Sequence, residues 1–221
     1  MNRSMPYLED EAAAERSARG RVVVIDDDED ILQSMRRLFD LEGYACDTYS
    51  SAVRYLHSRP QRSTELIGPM CILCDVKMPG MDGLSLLKQV SDDPEVPMVL
   101  MSGNSGAVEA VQAFRLGVVD FLIKPMDLDQ VLSAVRRGLE LSSLRSADRI
   151  RATALADRLA SLTDRERVVV QMVVAGKSNP EISESLGLAL RTVKLHRQRG
   201  MIKLGAHTIT DLVRIADEAN I

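Results

Sequence analysis

The chain has 221 residues, 45% hydrophobic and 27% charged, with a formal net charge of −4. That is enough for one or two domains with cores of their own, and it contains no apolar run of the roughly 18 residues that a membrane helix needs. The N-terminus carries Glu9, Asp10, Glu11 and Glu15 where a signal sequence would be apolar or basic, so export and organelle import are disfavoured and the cytoplasm is the expected compartment.

Residues 1–20 are polar and rich in Ala, Glu and Arg, the composition of a flexible leader. From Arg21 onward, short apolar runs alternate with helical periodicity. The runs are Val22–Ile25, Ala45–Tyr49, Met70–Cys74, Met98–Met101 and Phe121–Ile123. Apolar residues recur at helical spacing through Ile31–Phe39, Ala52–His57, Leu84–Val90, Val108–Leu116 and Leu128–Leu139. Strands alternating with helices predict an α/β fold, a doubly wound five-stranded parallel sheet with right-handed crossovers. Cys71 and Cys74 have a C-x-x-C spacing, but positions three apart on a strand face opposite sides. With Cys46 they are expected to be buried structural thiols rather than a metal or redox pair.

Chemistry gathers where the runs end. Asp26-Asp27-Asp28 follow the first run, Asp75 the third, Ser102 the fourth and Lys124 the fifth. In a parallel sheet these ends share one edge, the edge at which open α/β sheets place their sites. Clustered carboxylates raise one another's pKa, and a hard divalent cation with oxygen ligands, Mg²⁺, relieves them. A carboxylate can attack phosphorus, a lysine neutralises phosphoryl oxygens and a hydroxyl senses them. Asp28 leaves a one-residue shift of the acidic pair open.

Taken together, Asp26-Asp27, Asp75-x-x-Met78-Pro79-x-x-x-Gly83, Ser102-Gly103 and Phe121-x-x-Lys124-Pro125 resemble the receiver domain of two-component response regulators over Arg21–Leu141. The resemblance implies a flavodoxin-like sheet of order 2-1-3-4-5 and a phosphoryl group passed to Asp75 by a sensor histidine kinase. It implies Mg²⁺ held by Asp27, Asp75 and the Lys77 backbone carbonyl, with Asp26 acting through water. Ser102 is then the hydroxyl that moves toward the phosphate, Phe121 the aromatic that switches inward, Lys124 the fixed cation, and Lys124-Pro125 a cis peptide. Met126 stands where the family often has Phe.

No Gly or Pro falls between Gly138 and Gly176. Residues 142–160 are therefore read as a long connecting helix, or part of two in series; whether it forms a dimer seam is left open by its irregular apolar spacing. From 161 to 221 the pattern is all helical. Thr163-Asp164-Arg165-Glu166 is a capping box, Gly176 a stop, and Asn179-Pro180 a second start with Asn179 as N-cap. A turn at Gly187 leads into Arg191–Lys203, and a last helix is expected over Thr210–Ala219. Helix, tight turn, helix is a DNA-reading arrangement. Between Ser185 and Thr210 there is no acidic residue, while Arg191, Lys194, Arg197, Arg199 and Lys203 fall there, which suits phosphate contacts.

Leu162-Thr163-x-Arg165-Glu166, Ala175-Gly176-x-Ser178-Asn179-x-Glu181-Ile182, Thr192-Val193-Lys194-x-His196-Arg197 and Lys203-Leu204 resemble the LuxR-type helix-turn-helix domain. With the receiver, the whole is similar to the NarL/FixJ response regulators. By position, Lys194, Leu195 and Gln198 are expected at base edges, and Thr192, His196, Arg197 and Lys203 nearer the phosphates of double-stranded DNA. Ala189 and Leu190 replace the usual capping residues, so the reading helix starts loosely or is capped one turn in by Thr192. The expected protein is a phosphorylation-dependent transcription regulator that forms a homodimer when phosphorylated, is not an enzyme beyond its own aspartate chemistry, and has no membrane partner. The alternative is a constitutively dimeric DNA binder whose receiver works without phosphorylation. A phosphatase is disfavoured because the second residue after Asp75 is Lys77, where such enzymes place an acid.

Overall fold

The computed structural model describes residues 19–58, 68–90, 96–103 and 107–219; the leader reading of residues 1–20 falls almost wholly outside them. One compact unit ends at Ala147 and a second begins at Asp148.

In the first unit, strands β1 (Arg21–Ile25), β2 (Ala45–Tyr49), β3 (Met70–Asp75), β4 (Met98–Ser102) and β5 (Asp120–Ile123) form one sheet of order β2-β1-β3-β4-β5. Every pairing is parallel. Helices α1 (Glu29–Leu41), α2 (Ala52–Ser58), α3 (Gly83–Val90) and α4 (Ala107–Arg115) make the crossovers, and α5 starts at Leu128. The order reverses at β1, which makes the carboxyl ends of β1 and β3 the switch point of the sheet.

The strand alternation divides the core into two layers. Val23, Ile25, Ile72 and Cys74 point to one face, where Tyr55, Leu86, Val90 and Ala113 of α2, α3 and α4 cover them. Val22, Val24, Cys71 and Leu73 point to the other, under Leu32, Met35 and Phe39 of α1 and Val131, Val135 and Leu139 of α5. Cys71 and Cys74 therefore lie in different layers. Burial pushes the Cys46 and Cys71 thiols up to about 12 and Cys74 well above the ordinary thiol range. Thiols so raised are protonated and make poor metal ligands or nucleophiles.

Helix α5 is continuous from Leu128 to Ala160, 33 residues, so the last receiver helix and the connecting segment are one element rather than two in series. Leu144 and Ile150 on it are exposed.

The second unit contains α6 (Asp164–Val174), α7 (Asn179–Leu186), α8 (Leu190–Leu204) and α9 (Ile209–Ala219). Its core is Leu162, Val169, Val173, Ile182, Val193, Leu204, Leu212 and Ile215. The capping box of α6 forms as expected: Glu166 N donates to Thr163 Oγ1 at 3.3 Å and Thr163 N to Glu166 Oε2 at 3.0 Å. The start of α7 differs from expectation. Ser178, not Asn179, is the N-cap, in a second capping box with Glu181. That register puts a Glu at the third helical position and Pro180 at the second, where its missing N–H removes no intrahelical bond. Gly187 closes α7 in the left-handed conformation at φ 61°, and α8 begins at Leu190 with no side-chain cap.

Candidate functional site

The register of the sheet brings the expected residues to one edge. Ile25 pairs with Cys74, Asp75 with Met101 and Ser102 with Ile123. Asp26 and Asp75 are thus neighbouring strand ends, Ser102 ends the next strand, and Lys124 follows the last. Asp26, Asp75 and Ser102 are all buried, at 1%, 5% and 1% exposure. Two close approaches position Asp75. Its Oδ2 accepts the Lys77 backbone N–H at 2.7 Å. Gly83 opens α3 hard against the strand end: a Cβ there would lie 2.4 Å from the Asp75 carbonyl oxygen. No residue but glycine fits that contact.

Lys124 ties the edge together. Its Nζ donates to Asp26 Oδ2 at 2.7 Å and to Asp75 Oδ1 at 2.5 Å, and its backbone N–H donates to the Ser102 carbonyl at 2.8 Å. The Lys124-Pro125 bond is cis. Burial raises the Asp26 carboxyl above its usual range; the Lys124 hydrogen bond and the Asp28 amide only partly offset it. Burial alone would lower the Lys124 ammonium, but the hydrogen bonds it donates to Asp26 and Asp75 outweigh it and the net direction is up. One ammonium therefore serves two buried carboxylates, and the edge keeps an excess of negative charge where water is scarce.

The acidic run resolves into three roles. Asp28 caps α1, accepting from Asp30 N at 2.9 Å and Ile31 N at 3.4 Å, so the one-residue shift left open is closed: Asp28 is committed to the helix. Asp26 is buried with Lys124, and Asp27 is exposed at the rim. Among the described residues no three His, Cys, Asp or Glu side chains stand as a ready-made metal cluster. The donor set nonetheless fits a hard cation: its atoms are oxygens, its burial leaves the negative charge under-compensated, and Asp75 keeps lone pairs beyond those used by Lys77 and Lys124. Phe121 is half-buried against the layer that holds Ile72 and Leu100. The exposed apolar side chains nearby are Val108, Val111 and Phe114 on α4, with Ile123 and Leu128.

In the second unit, α8 presents one solvent face of Arg191, Lys194, Leu195, Gln198, Arg199 and Ile202, while Val193, Gly200 and Leu204 are buried. Gly200 sits against α6, where a Cβ would meet Val170 at 2.7 Å. Of the residues expected at base edges, Lys194, Leu195 and Gln198 are all on the open face. Thr192, His196 and Arg197 flank it, half-buried. Arg197 Nη1 donates to Asn179 Oδ1 at 3.0 Å, which links the two helices of the motif and explains what Asn179 does instead of capping. Lys203 corrects the sequence reading. Its ammonium turns inward, 2.6 Å from Glu166 Oε2 and 2.8 Å from the Ser161 carbonyl, instead of outward to a phosphate. The Lys203 hydrogen bond first, then the Thr163 amide, lowers the buried Glu166 carboxyl to about 2. Spacing could not reveal this, because a lysine at the end of a basic helix looks the same whether it faces solvent or a buried acid.

The response regulator receiver domain family matches residues 22–136, and the luxR family of bacterial regulatory proteins matches residues 160–216. The chain belongs to the NarL/FixJ-type response regulators. It is 32% identical over 204 residues to the transcriptional regulatory protein FixJ of Bradyrhizobium diazoefficiens, covering 92% of this chain and 97% of FixJ. It is 30% identical to the response regulator protein TodT of Pseudomonas putida, covering 89% of this chain and 85% of TodT. Among solved structures it resembles the response regulator StyR, with a TM-score of 0.83, 30% identity and coverage of 90% and 98% of the two chains.

Proposed function

We propose that this response regulator accepts a phosphoryl group on Asp75 from a sensor histidine kinase and in that form dimerises on promoter DNA. The observation that carries the reading is Lys124, whose one ammonium is hydrogen-bonded to both Asp26 and Asp75 on a sheet edge. An Asp75 oxygen attacks phosphorus as the bond to the donor imidazole breaks, and the departing imidazole takes a proton from solvent. Lys124 then balances the oxygens at phosphorus rather than the bare Asp75 carboxylate. Mg²⁺ fits Asp26, Asp27, Asp75 and the Lys77 carbonyl; when bound, it neutralises phosphoryl oxygens.

The new group adds charge and acceptors. The Ser102 hydroxyl, buried beside it, is the donor that reorganises toward it. Phe121 repacks as it does so, and the exposed apolar side chains of α4 become the dimerisation face. Two copies of α8 then address two half-sites of a near-palindromic operator, with Lys194, Leu195 and Gln198 at base edges and Thr192, His196 and Arg197 near phosphates. A regulator with a luxR-family domain acts where the DNA is, which supports a cytoplasmic place of action; among the described residues no helix is long and apolar enough to cross a membrane. The protein turns over no substrate besides its own aspartyl phosphate.

The test is Asp75→Asn exposed to acetyl phosphate and Mg²⁺, read by intact mass. Wild type should gain one phosphoryl mass and the variant none; undiminished labelling of the variant refutes the site. DNA affinity that does not change with phosphodonor would favour the constitutively dimeric reading.

A further inference from the structure

The mechanism above uses the backbone of Lys77 but leaves its side chain without a task. That side chain reaches across the mouth of the site to α4, where its Nζ lies 3.9 Å from Glu109 Oε1. Lys77 is exposed, as suits a group that can change partners, whereas Glu109 is only 31% exposed at its side chain. The second Glu109 oxygen, Oε2, is buried and has no hydrogen-bond partner among the described residues. A buried carboxylate oxygen left without a donor is a local cost of the present arrangement, so the carboxylate is held by one long contact and is poorly satisfied there. Glu109 sits in the first turn of α4, between Val108, 80% exposed, and the turn bearing Val111 and Phe114. The root of Lys77 is fixed at the site, since its amide is bonded to the very carboxylate proposed to be phosphorylated.

We propose that Lys77 and Glu109 form an electrostatic strap that holds the first turn of α4 to the phosphoacceptor loop while Asp75 is unmodified, and that a phosphoryl group on Asp75 competes with Glu109 for the Lys77 ammonium. The inference rests on the phosphoacceptor reading of Asp75 and adds a second route from the site to the apolar α4 surface, separate from Ser102 and Phe121. The competition is unequal. A phosphoryl group brings about −1.5 to −2 charges and three acceptor oxygens beside the Lys77 backbone, against one carboxylate at the far edge of contact range. Once Lys77 turns to the phosphoryl oxygens, Glu109 is free to leave its half-covered position, and the turn carrying Val108 is free with it.

Amide hydrogen exchange across Ala107–Arg115 in the full-length protein measures the strap directly. An exposed ion pair is worth at most about 1 kcal/mol, so Glu109→Gln should speed exchange in the first turns of α4 by roughly two- to fivefold without phosphodonor. Lys77→Met should do the same. The double variant should be no faster than either single one, because both remove one interaction. Beryllofluoride with Mg²⁺, a mimic of the phosphoryl group, should abolish the difference between wild type and Glu109→Gln in that segment, whatever repacking or dimerisation through α4 does to both. Glu109→Gln exchanging like wild type, or additive effects of the two substitutions, would overturn the strap; additivity would mean that Glu109 acts only on the α4 dipole. Intact mass after acetyl phosphate keeps the two readings apart: unlabelled wild type removes the phosphoacceptor reading, whereas wild type and Glu109→Gln that both label, yet exchange identically in α4 before phosphodonor is added, remove the strap alone.

Discussion

Replacing Lys203 with methionine separates two roles that one basic residue could have. As a phosphate contact, Lys203 would contribute about 0.9 to the slope of log affinity against log salt and nothing to stability. As a strut, it contributes to stability and nothing to the slope. The structure favours the strut, because the ammonium is bonded to a Glu166 carboxylate that is only 3% exposed as a residue. The magnitude follows from the lowered acid. A carboxyl moved from 4.5 to about 2 corresponds to about 3 kcal/mol at neutral pH. Because the Thr163 amide and hydroxyl supply part of that shift and Lys203 is itself about a third exposed, we take roughly 2 kcal/mol, a factor of about 30 in the opening equilibrium. The folded acid lies below its unfolded value, so this stability is fully present above about pH 4.5 and is lost as pH falls toward 2. Native-state hydrogen exchange at the Val169, Val193 and Leu212 amides, core positions of the second unit, reads the loss. Lys203→Met should speed it about 30-fold at pH 7, and Glu166→Gln by a comparable amount. The salt dependence of DNA binding should keep its wild-type slope in Lys203→Met and fall by about one in Lys194→Met. Less than a twofold change in exchange, with a slope reduced by one in Lys203→Met, would refute the strut.

Three further outcomes follow from the geometry. Gly83→Ala drives a methyl against the Asp75 carbonyl and should cost about 1–3 kcal/mol in the receiver unfolding transition by urea, with slowed acetyl phosphate labelling. Lys124→Met leaves Asp26 buried without the hydrogen bond that partly offsets its burial; its carboxyl, already raised in the wild type, rises further, so the variant should gain more stability than wild type as pH is lowered from neutrality, and a receiver melting temperature with the wild-type pH dependence counts against it. Ala189→Ser supplies the missing cap at a residue already extended at φ −60° and ψ 142°, and should stabilise the second unit by about 0.5–1 kcal/mol in the same exchange assay.

The receiver was legible because its chemistry is coupled to strand ends. A buried parallel strand reads as an unbroken apolar run, and the residue that ends it has nowhere to go but the sheet edge. Asp26, Asp75, Ser102 and Lys124 were therefore placed by periodicity alone, and Cys71 and Cys74 were separated by the same alternation. The capping box at Thr163 was legible for a similar reason, since both partners lie within one turn. Ser178 was missed because Ser, Asn and Pro in succession offer two registers, and the choice rests on where Glu181 lands. What the sequence could not carry were pairings between distant segments: Lys203 with Glu166, Arg197 with Asn179, Lys77 with Glu109. Each joins two residues whose identities are ordinary for exposed surface.

The same distinction bears on the acidic edge. Counting charges along the chain put three acids near one point, which made a cation seem a requirement of stability. The fold removes part of that need by setting Asp28 on a helix end, leaving Asp27 in solvent and giving Asp26 and Asp75 a shared lysine. What remains is an excess of one negative charge spread over two buried carboxylates, too little to unfold the edge and enough to draw a cation. An edge fully neutralised by protein groups would hold its acids quietly but offer no pull on magnesium, and one left with three bare carboxylates would not stay folded without it. Lys124 sets the balance between those limits. The strength of Mg²⁺ binding should therefore follow the charge at position 124: Lys124→Met should bind the ion more tightly than wild type in calorimetric titration, even as it loses the ammonium that a phosphoryl group needs. Weaker Mg²⁺ binding in that variant would mean that Lys124 positions the carboxylates rather than competing for their charge.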